Sequence, residues 1–155
     1  MLLRKAPKLP LKAYDDLGTF KLYTLDLGVL RKLSELDASI LLLPTPAYTE
    51  YKGALAENYI LQSLTAQFQM PFRYWTSGNK AEVDFLLQYI NQIYPIEVKA
   101  DQNIQGKSLI QYEKLFQPAC RIRYSMLNLK QDGNLLNIPL FLADKTRELL
   151  GVINV

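Results

Sequence analysis

The stretch Ala81-Glu82-Val83-Asp84-Phe85-Leu86-Leu87, followed shortly by Pro95-Ile96-Glu97-Val98-Lys99-Ala100, decides how this chain is read. Both halves alternate apolar with polar residues, the period of a strand with one buried face. Asn91-Gln92 offers a hairpin tip between them, and a two-residue tip there sets Asp84 directly across from Lys99. In that register Val83, Phe85, Leu87 and Tyr89 share a face with Tyr94, Ile96 and Val98, while Glu82, Asp84, Leu86 and Gln88 share the other with Pro95, Glu97 and Lys99. Two carboxylates and an ammonium on one face of a twisted hairpin suit a divalent-metal site. They also suit an ordinary half-buried sheet.

Moving toward the N-terminus, Phe72–Thr76 reads as a strand ended by the turn residues Ser77-Gly78-Asn79. Before it, Gly53–Phe68 is the longest predicted helix, with Ala56, Tyr59, Ile60, Leu64 and Phe68 at helical spacing and Glu57 beside them. Pro44 and Pro46 predict an extended, non-helical passage over 38–51, which separates an N-terminal part, 1–50, from a main unit, 51–155. Within the first part, Phe20–Leu25 alternates as a short strand and Asp26 is an N-cap for a helix over 26–37.

Toward the C-terminus, Ser108-Leu109-Ile110-Gln111 has the form of a capping box, opening a helix that Pro118 ends. Arg121–Leu129 and Leu135–Ala143 then read as two strands around Asp132-Gly133, with Pro139 at an edge or bulge, and Asp144 caps a terminal helix over 145–150. The order helix, three strands, helix, two strands predicts an α/β (α+β) fold, a central mixed sheet flanked by helices.

Composition narrows the chemistry. At 155 residues and 49% hydrophobic the chain suffices for one domain with a substantial core. The net charge of +3 is a property of the N-terminal arm: Arg4, Lys5, Lys8 and Lys12 contribute four charges, which leaves residues 13–155 at −1. Basic charge therefore gives little support for a nucleic-acid partner. With no histidine and the single Cys120, nearly every zinc-type ligand set is removed and any metal must be hard and oxygen-bound. The N-terminus has no signal-peptide core, and Ile40-Leu41-Leu42-Leu43 is too short to span a bilayer, so a reducing, cytoplasmic setting is expected.

Phosphodiester hydrolysis needs a cation to neutralise phosphate charge and to acidify the attacking water. Asp84 and Glu97 are the expected ligands of magnesium or manganese, with the carbonyl of Val98 completing an oxygen shell and Glu57 adding a carboxylate from the preceding helix. Lys99, on the face of Glu97, would orient or deprotonate the water and stabilise the charged transition state. Asp84, Glu97, Lys99 and Glu57 are thus the candidate catalytic set.

A helical Glu, a strand Asp and a following Glu-x-Lys resemble the PD-(D/E)xK nuclease superfamily, whose restriction-endonuclease-like core would then be expected here; position 83 is Val where that motif has Pro. Phe20-Lys21-Leu22-Tyr23, Asp26-x-Gly28-x-Leu30, Gly53-Ala54-Leu55-x-Glu57-Asn58, Tyr74-Trp75, Ala81–Phe85, Pro95–Lys99 and Asn137-Ile138-Pro139-Leu140 together resemble the uncharacterised C-terminal domain of a large prokaryotic family of AAA-type P-loop ATPases. The resemblance implies metal-dependent nucleic-acid chemistry on DNA and an ATPase domain as the usual companion. No Gly-x4-Gly-Lys-Ser/Thr loop occurs in this chain, which accordingly looks like a detached C-terminal portion.

Three readings stay open. One is a magnesium-dependent deoxyribonuclease, in which dimerisation to cut both strands is open. Another is an inactive nucleic-acid- or protein-binding regulatory module of that ATPase, and the third is an α/β domain without a site.

Overall fold

A computed structural model describes residues 1–4, 8–35, 46–78, 80–100 and 106–153. Eight strands among the described residues form one mixed sheet: β1 (Leu2–Arg4), β2 (Asp15–Phe20), β3 (Arg73–Thr76), β4 (Glu82–Tyr89), β5 (Gln92–Val98), β6 (Arg121–Ser125), β7 (Lys130–Asp132) and β8 (Leu135–Pro139), in the order β2-β1-β3-β4-β5-β6-β8-β7. The helices are α1 (Leu27–Leu33), α2 (Pro46–Phe68), α3 (Lys107–Phe116) and α4 (Thr146–Ile153). The predicted mixed sheet flanked by helices is the fold observed. The N-terminal strands belong to this same sheet, because β1 pairs parallel to β3 and antiparallel to β2. Arg73 clamps that junction with two charge-assisted bonds to Asp15, at 2.7 and 3.0 Å.

The hairpin turns one residue earlier than the sequence reading placed it. Ile90 and Asn91 form the tip with φ of 43° and 57°, the doubly left-handed pattern of a type I′ turn, whose twist matches its strands. Pairing runs from Tyr89↔Gln92 to Phe85↔Ile96. One more step in that register sets Asp84 across from Glu97, not Lys99. The slip is two residues, so the parity of the faces within β5 survives it.

The register slips again between β3 and β4, where Arg73 pairs with Leu86 but Trp75 with Val83. Two steps along β3 therefore oppose three along β4, a bulge at Asp84-Phe85. Its effect is visible in the core. Phe85 and Leu87 join Ile60, Leu64, Tyr94, Ile96 and Ile122 in the larger cluster, whereas Val83 joins Leu86, Trp75, Leu109 and Tyr112 in the smaller. The expected all-apolar face containing Val83 is thus split, and the expected polar face is buried around Leu86, Pro95 and Glu97.

Helix α2 covers the larger cluster with Ile60 and Leu64, both fully buried. It starts at Pro46, which is tolerated in a first turn because that N–H needs no partner, and ends where Gln69 turns left-handed at φ 49°. The expected extended passage across Pro46 is therefore helical; Pro44 lies outside the described residues. On the opposite face, α3 packs Leu109 and Tyr112 against the sheet and stops at left-handed Gln117, one residue before Pro118.

Two further expectations change. Helix α3 begins at Lys107 after Gly106, so Ser108 is no cap; its Oγ instead accepts the Glu82 N–H at 3.4 Å. The hairpin at Gly133 (φ 56°) joins β7 to β8, while β6 lies parallel to both β5 and β8. Leu140–Lys145 is a 3-10 segment that runs into α4, so Asp144 caps nothing there. No helix among the described residues is long and apolar enough to cross a membrane.

Candidate functional site

Asp84 sits where the β4–β5 ladder stops. Its Oδ2 accepts the Val98 N–H at 2.7 Å, so a carboxylate takes the place of a main-chain acceptor. The bulge permits this by turning the residue out of the regular pleat. Burial, followed by the charge of Glu57, pushes the Asp84 carboxyl up to about 7; the Val98 amide and Lys21 pull the other way, and Glu97 adds to the rise. One carboxylate thus answers electrostatically to two others.

Glu97, next to the last residue of β5, is 2% exposed. Its Oε1 meets Lys99 Nζ at 3.2 Å, whereas its Oε2 is buried without a hydrogen-bond partner. Burial raises its pKa, opposed by Lys99 and then by Arg123 on the neighbouring strand. The Lys99 backbone N–H donates to Tyr124 O at 2.8 Å, which holds the chain beyond β5 against β6. Val98, expected to offer a carbonyl, is engaged through its amide.

Glu57 reaches the same neighbourhood from α2. Its Oε2 accepts the Tyr23 hydroxyl at 3.0 Å, and burial with the Glu57 charge moves that phenol well above its ordinary range. Among the described residues, no three His, Cys, Asp or Glu side chains come close enough to hold a metal ion together. Of the four residues singled out from sequence, Glu97 and Lys99 form an ion pair, Glu57 is hydrogen-bonded to Tyr23, and Asp84 rests on a backbone amide.

Sequence reasoning missed Lys21 and Tyr23 as parts of this site. The signal was there: in Phe20-Lys21-Leu22-Tyr23 the period of two puts Lys21 and Tyr23 on one side. The strand expected over Phe20–Leu25 does not form: β2 ends at Phe20, and residues 21–25 follow it without strand pairing, fixed where Asn58 Oδ1 accepts the Thr24 N–H at 3.0 Å. Asn58 is accordingly 2% exposed, a structural anchor. Asp26 caps α1 as expected, its Oδ1 accepting the Val29 N–H at 2.9 Å. Lys21 pairs with Glu82 and lies 5.0 Å from the centre of the Tyr74 ring. A groove of about 590 Å³ between this segment, α1 and α2 opens onto Lys21 and Glu57.

Trp75 and Tyr112 are core residues. Trp75 meets Tyr112 and Phe116 edge-on at 5.2 and 5.5 Å, and Tyr112 is 1% exposed. Gln111 reaches Ser77 Oγ at 3.4 Å.

No curated protein and no solved structure matches the chain. A family model does match, over residues 52–141, and that span carries Glu57, Asp84, Glu97 and Lys99 but stops short of Lys21 and Tyr23. By this match over more than half its length, the chain belongs to the family of the domain of unknown function DUF4143.

Proposed function

We propose that this domain is nuclease-like, of the PD-(D/E)xK type, and that Asp84 and Glu97 bind magnesium or manganese for phosphodiester hydrolysis of DNA. The observation that carries the reading is the buried, unpartnered Oε2 of Glu97, together with an Asp84 carboxyl raised by burial, by Glu57 and by Glu97 itself. Carboxylates held together at such cost are relieved by a cation. Magnesium keeps several waters and takes one or two carboxylates, so a two-carboxylate set fits it without a third acid. When bound, the ion would neutralise phosphate charge and acidify water. Lys99, a third exposed and pointed at Glu97, would orient a water or the phosphate from the β5 side. Glu57 would act on Asp84 through its charge. An AAA-type ATPase domain is the companion this reading implies.

The test is plasmid nicking by purified protein with magnesium or manganese, beside Glu97→Ala and Lys99→Ala. Cleavage by wild type and none by either folded variant is expected. Equal cleavage by all three would mean contamination and end the claim.

A second reading, a regulatory module without catalysis, is favoured by the ammonium groups already paired with Glu97 and Glu82 and by the absence of a three-acid cluster among the described residues. Calorimetric titration with magnesium separates the two, since an isotherm lost in Asp84→Ala contradicts the second.

A further inference from the structure

Six large apolar side chains stand in solvent within one short stretch: Leu22 and Leu25 are 85% and 87% exposed, and Leu17, Phe20, Val29 and Leu33 are exposed as well. Together they expose roughly 700 Å², above the ~300–600 Å² of the largest patch on an ordinary monomer and near the ~800 Å² that each partner buries in a standard interface. Helix α1 follows the same pattern, since it carries Leu27, Val29, Leu30 and Leu33 and buries none of its residues. Its apolar side has no cover within the molecule. Segment 21–25 crosses α2 at the Thr24–Asn58 bond and leaves a groove on each side of the crossing. The apolar lining of one, about 670 Å³, is Met1, Leu22, Leu25, Leu61 and Ala66; that of the other, about 590 Å³, is Leu22, Leu30, Leu33 and Ala54. Projecting leucines and apolar grooves thus share one face.

We propose that this face is a self-association surface: two copies of the chain pack it against itself about a two-fold axis, with Leu22 and Leu25 of each copy seated in the grooves beside segment 21–25 of the other. A two-fold contact uses one patch twice, so that patch must complement itself. In shape it does, because the ridge that each copy offers lies next to the groove that each copy needs filled. In area a single patch of this size is what one partner contributes to a stable dimer. In charge, residues 15–35 hold Asp15, Asp16, Asp26 and Glu35 against Lys21, Arg31 and Lys32, so no single-sign field keeps two copies apart. The surface is separate from Asp84 and Glu97, and its role does not depend on metal binding there.

Sedimentation velocity of the whole chain, over concentrations from about 1 to 100 μM, tests this. Wild type should pass from the 17.8 kDa monomer to a species of twice that mass as concentration rises. Leu22→Lys combined with Leu25→Lys, its fold checked by thermal melting, should weaken association at least about a hundredfold and stay monomeric. Leu25→Lys alone should weaken it about tenfold, and this single change at a solvent-facing residue decides the matter if the double variant does not fold. Met126→Lys with Phe141→Lys removes two other exposed apolar residues, outside this stretch, and should associate as wild type does. A wild type that remains monomeric throughout overturns the proposal and leaves the face to a different chain. A dimer that survives the leucine changes, or one that is lost with Met126 and Phe141, puts the contact elsewhere and overturns it equally.

Discussion

The two ends of the β4–β5 hairpin follow opposite rules. At the closed end, main chain pairs with main chain through Tyr89↔Gln92, and a two-residue turn sets the twist. At the open end the ladder stops, a bulge intrudes, and a carboxylate accepts the amide that a carbonyl would otherwise serve. The closed end spends its sequence on geometry. The open end raises the Asp84 carboxyl by burial and by the charges of Glu57 and Glu97, and leaves a buried acceptor unpaired, an arrangement that lowers stability and is found where a site must bind something.

Substitutions at each end sharpen this contrast. The largest effect belongs to the apolar support they share: Phe85→Ala removes a fully buried ring that meets Tyr23 and Phe72 at 5.8 and 6.5 Å, and urea unfolding should show a loss of about 3–5 kcal/mol. At the open end the sign reverses. The native Asp84 carboxyl, raised to about 7 from an ordinary 3.8, keeps its proton to higher pH than the unfolded chain does, so stability falls as pH rises through that window and stays low above it. Asp84→Asn, which still accepts from Val98, should therefore stabilise the fold by about 1–3 kcal/mol at pH 8 and give no such gain near pH 3.5. A gain independent of pH would show that the charge is not the cause.

Smaller effects come next. Tyr23→Phe deletes the hydroxyl that Glu57 accepts, and its cost of about 1 kcal/mol should appear in thermal or urea melts. At the closed end Ile90, 65% exposed, holds a left-handed φ that a β-branched residue adopts with strain. Ile90→Gly relieves it and should add about 0.5–1 kcal/mol, partly offset by the freer unfolded chain. A loss there would mean that the turn geometry is wrong.

How much of this was legible in the sequence depends on how local the physics is. Alternation in Tyr94-Pro95-Ile96-Glu97-Val98 gave β5 its faces, and the Asp26 cap gave α1 its start, because both are set by near neighbours. The tip was misplaced because Asn91-Gln92 has better turn chemistry than Ile90-Asn91; the strand register overrode local preference. The bulge at Asp84-Phe85 left no composition signal. Nor did the burial of Glu97, since α3 and its cluster cover the face only after the chain crosses over. Lys21 meets Glu82 across 61 residues of sequence, a distance over which periodicity says nothing.

The parallel pairing of β1 with β3 has a consequence for the order of assembly. The β4–β5 hairpin closes over two residues, whereas Leu2 reaches Arg73 only after α2 and everything before it has been laid down. Closing a long loop is slower than closing a tight turn. The strands that carry Asp84 and Glu97 are thus paired by local folding, and the segment carrying Lys21 docks afterwards, so refolding should be most sensitive to salt in the interval before Glu82 receives its cation.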